Sequence, residues 1–145
     1  YTRLGYPLKI AGAGTEQARL RRLAGRNVRF LGRVEDARVR RLYRNCRLLV
    51  FPGEEDFGLV PVEAQACGRP VVAFARGGAL ETVAAGKTGV FFPRQTEADL
   101  LAAVEEGAAI AWDPAAIRAQ AEPFGEARFL SGLAESLVRC MDEPS

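Results

Sequence analysis

Four carboxylates fall between residues 54 and 63: Glu54, Glu55 and Asp56 in succession, then Glu63, with seven residues between Glu55 and Glu63. Between them runs Phe57-Gly58-Leu59-Val60-Pro61, a glycine-led entry into an apolar segment that reads as a helix over about Pro61–Ala66, with proline at its first position. A helix start directs unpaired N–H groups and a partial positive charge outward, so the amides of Leu59 and Val60 suit a phosphate, and Gly58 lets backbone approach a ligand closely. Glu63 is then expected in the first turn. There the helix dipole favours an acid by about 0.3–1 kcal/mol whatever the function. Three adjoining acids beside a phosphate cradle would repel the phosphate, however. They make chemical sense if a group rich in hydroxyls lies next to it, since ionised carboxylates only accept hydrogen bonds. A sugar is such a group.

The elements around this stretch switch period repeatedly. Pro7–Ala11 reads as a strand ending at Gly12-Ala13-Gly14, and Thr15 as the cap of a helix to about Ala24 with Ala18, Leu20 and Leu23 inward. Asn27–Gly32 alternates as a short strand, and Glu35–Asn45 is amphipathic with Val39, Leu42 and Tyr43 on one side. Arg47–Pro52 and Pro70–Ala75 are continuous apolar runs, as in strands buried on both faces of a parallel sheet. A glycine loop and short helix lead to a last strand, Gly89–Phe92. Helices then follow over about 96–141, opened by a capping-box pattern at Thr96–Asp99 and continuing through Leu100, Leu101, Val104 and Ile110. Strand–helix alternation with short connections predicts an α/β fold with a Rossmann-like, doubly wound parallel sheet. Such sheets bind ligands beyond the carboxyl ends of their strands, where the acids fall.

The 145 residues, 48% hydrophobic, are the size of one domain with a core. The chain has no histidine, which removes the usual imidazole base and zinc ligand. Three cysteines, Cys46, Cys67 and Cys140, share no spacing that suits a disulfide framework or a zinc knuckle. Cys46 and Cys67, in apolar company, read as buried thiols of a reducing cytosol. No apolar run approaches the length of a membrane span, and no signal peptide opens these residues. The net charge of +2 hides an asymmetry: residues 1–50 carry 13 Lys+Arg against 3 acids, residues 51–145 carry 7 against 15. Eleven arginines between Arg19 and Arg47 would suit an anionic partner, or simply solvated faces in a chain with two lysines. No aromatic residues interleave with them as base-stacking platforms, which argues against nucleic acid.

Two phosphate motifs fail on inspection. Gly12-Ala13-Gly14 lacks the third glycine of a dinucleotide fingerprint, because position 17 is Gln17. Gly86-Lys87-Thr88 lacks the P-loop's leading glycine, where Glu81 stands. No Asp-x-Asp pair offers a divalent metal two carboxylates, so no metal site is expected.

The stretch Glu55–Glu63 resembles the E-x7-E signature of retaining GT-B glycosyltransferases of family 4, or group 1. The resemblance extends in order through "PLKIAGAG", "NVRFLGRV", "LYRNCRLLVFP", "VEAQACGRPVVAFARGGALETV", "GKTGVFF" and "FGEARFLSGL", about residues 7–135. It implies the C-terminal, donor-binding half of a two-domain enzyme, with residues 1–145 as a single nucleotide-sugar-binding domain. It further implies that Glu63 holds the ribose hydroxyls of the nucleotide. Glu55 would touch the donor sugar near the reacting face as the catalytic carboxylate. The amides of Phe57 and Gly58 would meet the sugar, and those of Leu59 and Val60 the diphosphate. Val34 would lie against the base with Arg33 nearby, and Gly12 and Gly14 would line the crevice floor. Asp56 stands where the family usually has glycine, and Glu54 reads as a solvated neighbour.

The chemistry implied is retaining transfer of a hexosyl group from a nucleoside diphosphate sugar, without a cofactor or required metal. The wording of the motifs leans towards mannosyl transfer from GDP-mannose in polysaccharide biosynthesis. Six residues precede Pro7 and look like the end of a helix, so the family's first strand, its cationic diphosphate grip and its N-terminal acceptor domain are expected elsewhere. Exposed sheet edges would invite self-association or strand exchange. The resemblance implies a cytoplasmic enzyme, with the full-length protein able to sit at a membrane surface. An alternative is a non-catalytic nucleotide-sugar-binding or assembly module that kept the fold. A third reading, a nucleic-acid binder built on the arginines, would show steep salt dependence.

Overall fold

The computed structural model describes residues 5–142; the expectation that a helix ends before Pro7 falls mainly on Tyr1–Leu4 and lies outside them. The elements run β1 (Leu8–Ala11), α1 (Gln17–Leu23), β2 (Val28–Gly32), α2 (Asp36–Asn45), β3 (Leu49–Phe51), α3 (Leu59–Ala66), β4 (Val71–Phe74), α4 (Ala79–Thr82) and β5 (Gly89–Phe92). The helices α5 (Glu97–Ala109), α6 (Pro114–Ala121) and α7 (Glu126–Asp142) follow, with a 3-10 turn at Glu122–Phe124. Among the described residues all pairings between strands are parallel, beside an isolated antiparallel bridge between Gly12 and Gly32.

Among the described residues the strands form two sheets, β1 with β2 and β3-β4-β5 in that order. In β1–β2, Leu8 stands opposite Val28 and Ile10 opposite Phe30. In the larger sheet Val71 pairs with Leu49 on one side and with Gly89 on the other. Among the described residues no pairing joins β1 to β3.

The core follows the larger sheet. Val71 and Ala73 of β4 pack with Phe51, Ala64, Ala79 and Val83 on one face, while Val72 and Phe74 pack with Val90, Phe92, Ala103 and Val104 on the other. Alternation along one strand thus serves two layers, α3 and α4 on one side and α5 on the other. All four residues of β4 are buried, and fully burying each valine is worth about 1.5–3 kcal/mol.

The first fifty residues contribute no buried side chain among those described. Three expectations for these elements are corrected. Leu20 and Leu23 of α1 are exposed, and Ala18 with them, because two strands present too little surface to cover a helix. Arg47–Pro52 is not buried on both faces: Phe51 is buried, but Leu49 and Val50 are half-buried on what is, among the described residues, an edge strand. Thr15 is not the cap of α1; Glu16 holds that position, in a helical conformation and without a side-chain cap bond.

Later elements follow the expected pattern closely. Thr96 caps α5 by accepting from the Asp99 amide at 3.2 Å, and Asp113 caps α6 by accepting from Ala115 at 2.8 Å. Ile110, expected inside α5, is instead the residue that ends it. Among the described residues no helix is long and apolar enough to cross a membrane.

Candidate functional site

The acid-rich segment occupies the loop between β3 and α3. Helix α3 starts at Leu59, two residues earlier than expected, so Pro61 is its third residue, not its first. The shift matters chemically. Pro61 falls where a backbone N–H would have had no partner in any case, and the free amides of the first turn are those of Leu59 and Val60. Gly58 caps the helix with φ 75° and ψ 61°, a left-handed conformation that favours glycine. Glu63 consequently lies in the second turn, not the first. The dipole effect fades within one turn, so it no longer accounts for an acid at that position.

The loop is held down from two sides. Gly78, at the start of α4, donates its N–H to the Glu55 carbonyl at 2.8 Å. A side chain at Gly78 would overlap the Phe57 backbone, and one at Gly77, where φ is 60°, would overlap the Glu55 carbonyl. The Phe57 ring meets Phe124 edge to face at 5.9 Å and 75°, tying the loop to the 3-10 turn after α6. Beneath it, the buried Gln65 amide donates to the carbonyls of Pro61 at 3.2 Å and Thr82 at 3.0 Å, and the Thr82 hydroxyl donates to Gly78 at 3.0 Å. These bonds fix α3 and α4 relative to each other, which sets the direction of the free amides. Glu54, Glu55, Asp56 and Glu63 all remain exposed to solvent.

Glu63 has a partner that periodicity did not single out for chemistry. The Tyr43 hydroxyl of α2 donates to its Oε2 at 3.0 Å. The Tyr43 ring packs against the core cluster that contains Phe51 and Ala64. Burial first, and then the hydrogen bond and negative charge of Glu63, hold the Tyr43 phenol well above its ordinary range, so it stays protonated at neutral pH. The available signal was a phenolic hydroxyl on an inward helix face, which generally needs a partner.

The remaining expected residues gather at the end of the smaller sheet. The Gly12 N–H donates to the Gly32 carbonyl at 2.7 Å, drawing the loop after β1 against the loop after β2, where Arg33 is exposed and Val34 half-buried. A depression of about 270 Å³ there is lined by Ile10, Gly12, Gly14, Gln17, Leu20 and Phe30, among others. Arg33, Val34, Glu55 and Glu63 do not line it. The depression thus takes in only Gly12 and Gly14 of the expected residues. Two loop clusters stand beyond the carboxyl ends of two sheets, with Tyr43–Glu63 bridging α2 and α3. Cys46 and Cys67 are half-buried, not buried, and burial raises the Cys46 thiol above its ordinary value; the Cys140 side chain lies outside the described set.

Comparison with known proteins agrees with this architecture. D-inositol 3-phosphate glycosyltransferase 2 of Catenulispora acidiphila is 41% identical over 101 residues, covering 65% of this chain and 24% of that protein. A GDP-mannose-dependent monoacylated alpha-(1-6)-phosphatidylinositol monomannoside mannosyltransferase of Corynebacterium glutamicum is 40% identical over 87 residues, covering 52% and 23%. The crystal structure of Anabaena Alr3699/HepE in complex with UDP and glucose superposes with a TM-score of 0.70 at 27% identity, over 91% of this chain and 40% of that one. The chain thus spans about a quarter of the length of these two curated relatives. Its α/β fold with parallel sheets matches GT-B glycosyltransferase structures, in the C-terminal half. Residues 3–108 match the family described as glycosyl transferases group 1, and the chain belongs to that family.

Proposed function

We propose that these residues form the donor-binding part of a retaining glycosyltransferase of the E-x7-E type. The observation that carries the proposal is the start of α3, where a left-handed Gly58 presents the free amides of Leu59 and Val60 between two exposed carboxylates, Glu55 and Glu63. The amides take the diphosphate, Glu63 accepts from the ribose hydroxyls, and Glu55 accepts from hydroxyls of the transferred sugar. Phe57 and Gly58 meet that sugar through their amides. Arg33 and Val34 face the base, and Gly12 and Gly14 floor the same side.

In the reaction, the bond from the anomeric carbon to the diphosphate oxygen breaks, and the electron pair leaves with the diphosphate. The acceptor hydroxyl forms the new bond from the same face and gives its proton to the departing diphosphate oxygen. Negative charge grows on the departing diphosphate, where fixed amide dipoles stabilise it without rearranging, often the largest single catalytic effect. Glu55 orients the sugar and supplies negative charge near the anomeric carbon as positive charge develops there.

A hexose is the transferred group. HepE was solved with UDP and glucose, while the Corynebacterium relative is named for GDP-mannose. The motif wording and that relative's name favour GDP-mannose as the donor, and the HepE complex makes UDP-glucose the second candidate. The 145 residues alone bind donor weakly and transfer nothing, since acceptor recognition lies in the remainder of a longer enzyme.

Calorimetric titration of the chain with UDP, GDP, UDP-glucose and GDP-mannose tests the reading. One nucleotide series should bind, and Glu63→Ala should weaken it about tenfold or more, as for a lost hydrogen bond to a charged group. Equal affinity of the variant, or no binding by the wild type, would contradict it.

A further inference from the structure

We propose that Tyr43 is a positioning residue for Glu63, engaging one carboxylate oxygen and leaving the other for the nucleotide ribose. The inference rests on the donor-site reading above but concerns a residue outside the loop that touches the donor.

Glu63 is exposed on α3, and a free glutamate there would sample several rotamers. The Tyr43 hydroxyl donates to Oε2 at 3.0 Å from a half-buried ring packed against the core cluster that contains Phe51 and Ala64. The direction of the phenol is thus fixed by packing, while Glu63 alone is not. The backbone carrying Tyr43 is also tied, because its carbonyl accepts from the Cys46 amide at 3.3 Å and the Cys46 thiol at 3.2 Å. A carboxylate has two acceptor oxygens, and a tyrosine O–H can fill one. Oε1 is left to accept from a ribose hydroxyl, with the carboxylate plane already chosen. A phenol is protonated near neutrality in any case, and burial beside Glu63 shifts it further towards the protonated donor form. Ordering the carboxylate beforehand removes part of the cost of ordering it at binding, which is the general basis of preorganisation.

A bond that merely fastens α2 to α3 would also join these residues, so the test must read ribose recognition. Affinities for UDP and GDP are compared with those for their 2′,3′-dideoxy counterparts, in the wild type and in Tyr43→Phe, by calorimetry. The wild type should favour the ribose form about tenfold or more. Tyr43→Phe should lose most of that preference by weakening the ribose form alone, leaving dideoxy affinity unchanged. If the preference survives in full in Tyr43→Phe, the positioning role is wrong while the Glu63 assignment stands. If the wild type shows no preference, the Glu63 assignment itself fails and the inference falls with it. A second readout needs no substitution: the NMR resonances of the Tyr43 ring should move with the ribose nucleotide bound and not with the dideoxy form. An equal response to both would overturn the proposal even if the phenylalanine variant failed to fold.

Discussion

The Gly78 amide donates to the Glu55 carbonyl at 2.8 Å, so the loop bearing the acids is bonded to the start of a different helix from the one it leads into. Backbone lies on backbone at this point. A methyl group on Gly78 would overlap the Phe57 main chain, which cannot swing aside as a long side chain would. Gly78→Ala is therefore expected to displace the loop, lowering stability by about 1–3 kcal/mol as overpacking does and weakening nucleotide binding further. Gly132→Ala is the control: nothing lies within 4 Å of a side chain there, and α7 should gain about 0.5–1 kcal/mol. Chemical denaturation and calorimetry on both variants check the contrast.

Stability should be unevenly shared along the chain. The buried hydrophobic residues run from Phe51 to Ala121, and none lies in β1 or β2. Native-state hydrogen exchange should place the amides of Val71–Phe74 and Val90–Phe92 in the slowest class and those of Leu8–Ala11 in a much faster one. Equal protection of the two sheets would contradict the split seen here.

The start of α5 carries a titration prediction. Arg94 donates to both oxygens of Asp99, at 2.7 and 3.0 Å. That bond, together with the guanidinium charge, lowers the Asp99 carboxyl below its ordinary value of 3.8. A depressed folded-state pKa contributes stability above the unfolded value and loses it as pH falls through the folded value. The contribution is thus complete at neutrality and fades in acid below pH 3.8. NMR titration of the Asp99 carboxyl should give a midpoint below 3.8, returning towards it in Arg94→Gln. No change on substitution would show the pair to be idle in solution.

The larger sheet was legible because its signals are local. Val71–Phe74 is a short apolar run between breakers, and Thr96 announces its helix by type and position. What failed was context. Leu20 and Leu23 have the spacing of inward residues, but periodicity marks only which face is apolar, not whether a neighbour covers it. The start of α3 was misplaced by two residues because proline is favoured at a first helical position, whereas here the left-handed Gly58 sets the boundary. That error also hid the position of Glu63, whose place in the second turn removes its electrostatic excuse. Tyr43 was read for its ring alone. The bond that gives its hydroxyl a purpose reaches twenty residues along the chain, beyond any helical or strand period.

Amide chemical shifts during titration with UDP or GDP test the central claim most directly. The largest and saturating changes should fall on Gly58, Leu59 and Val60, with smaller ones at Phe57 and Glu63, and the Glu63→Ala variant should require more ligand for the same response. If those resonances stay still while the arginine-rich segment between Arg19 and Arg47 shifts, the nucleotide is held by diffuse positive charge and the start of α3 is not its cradle.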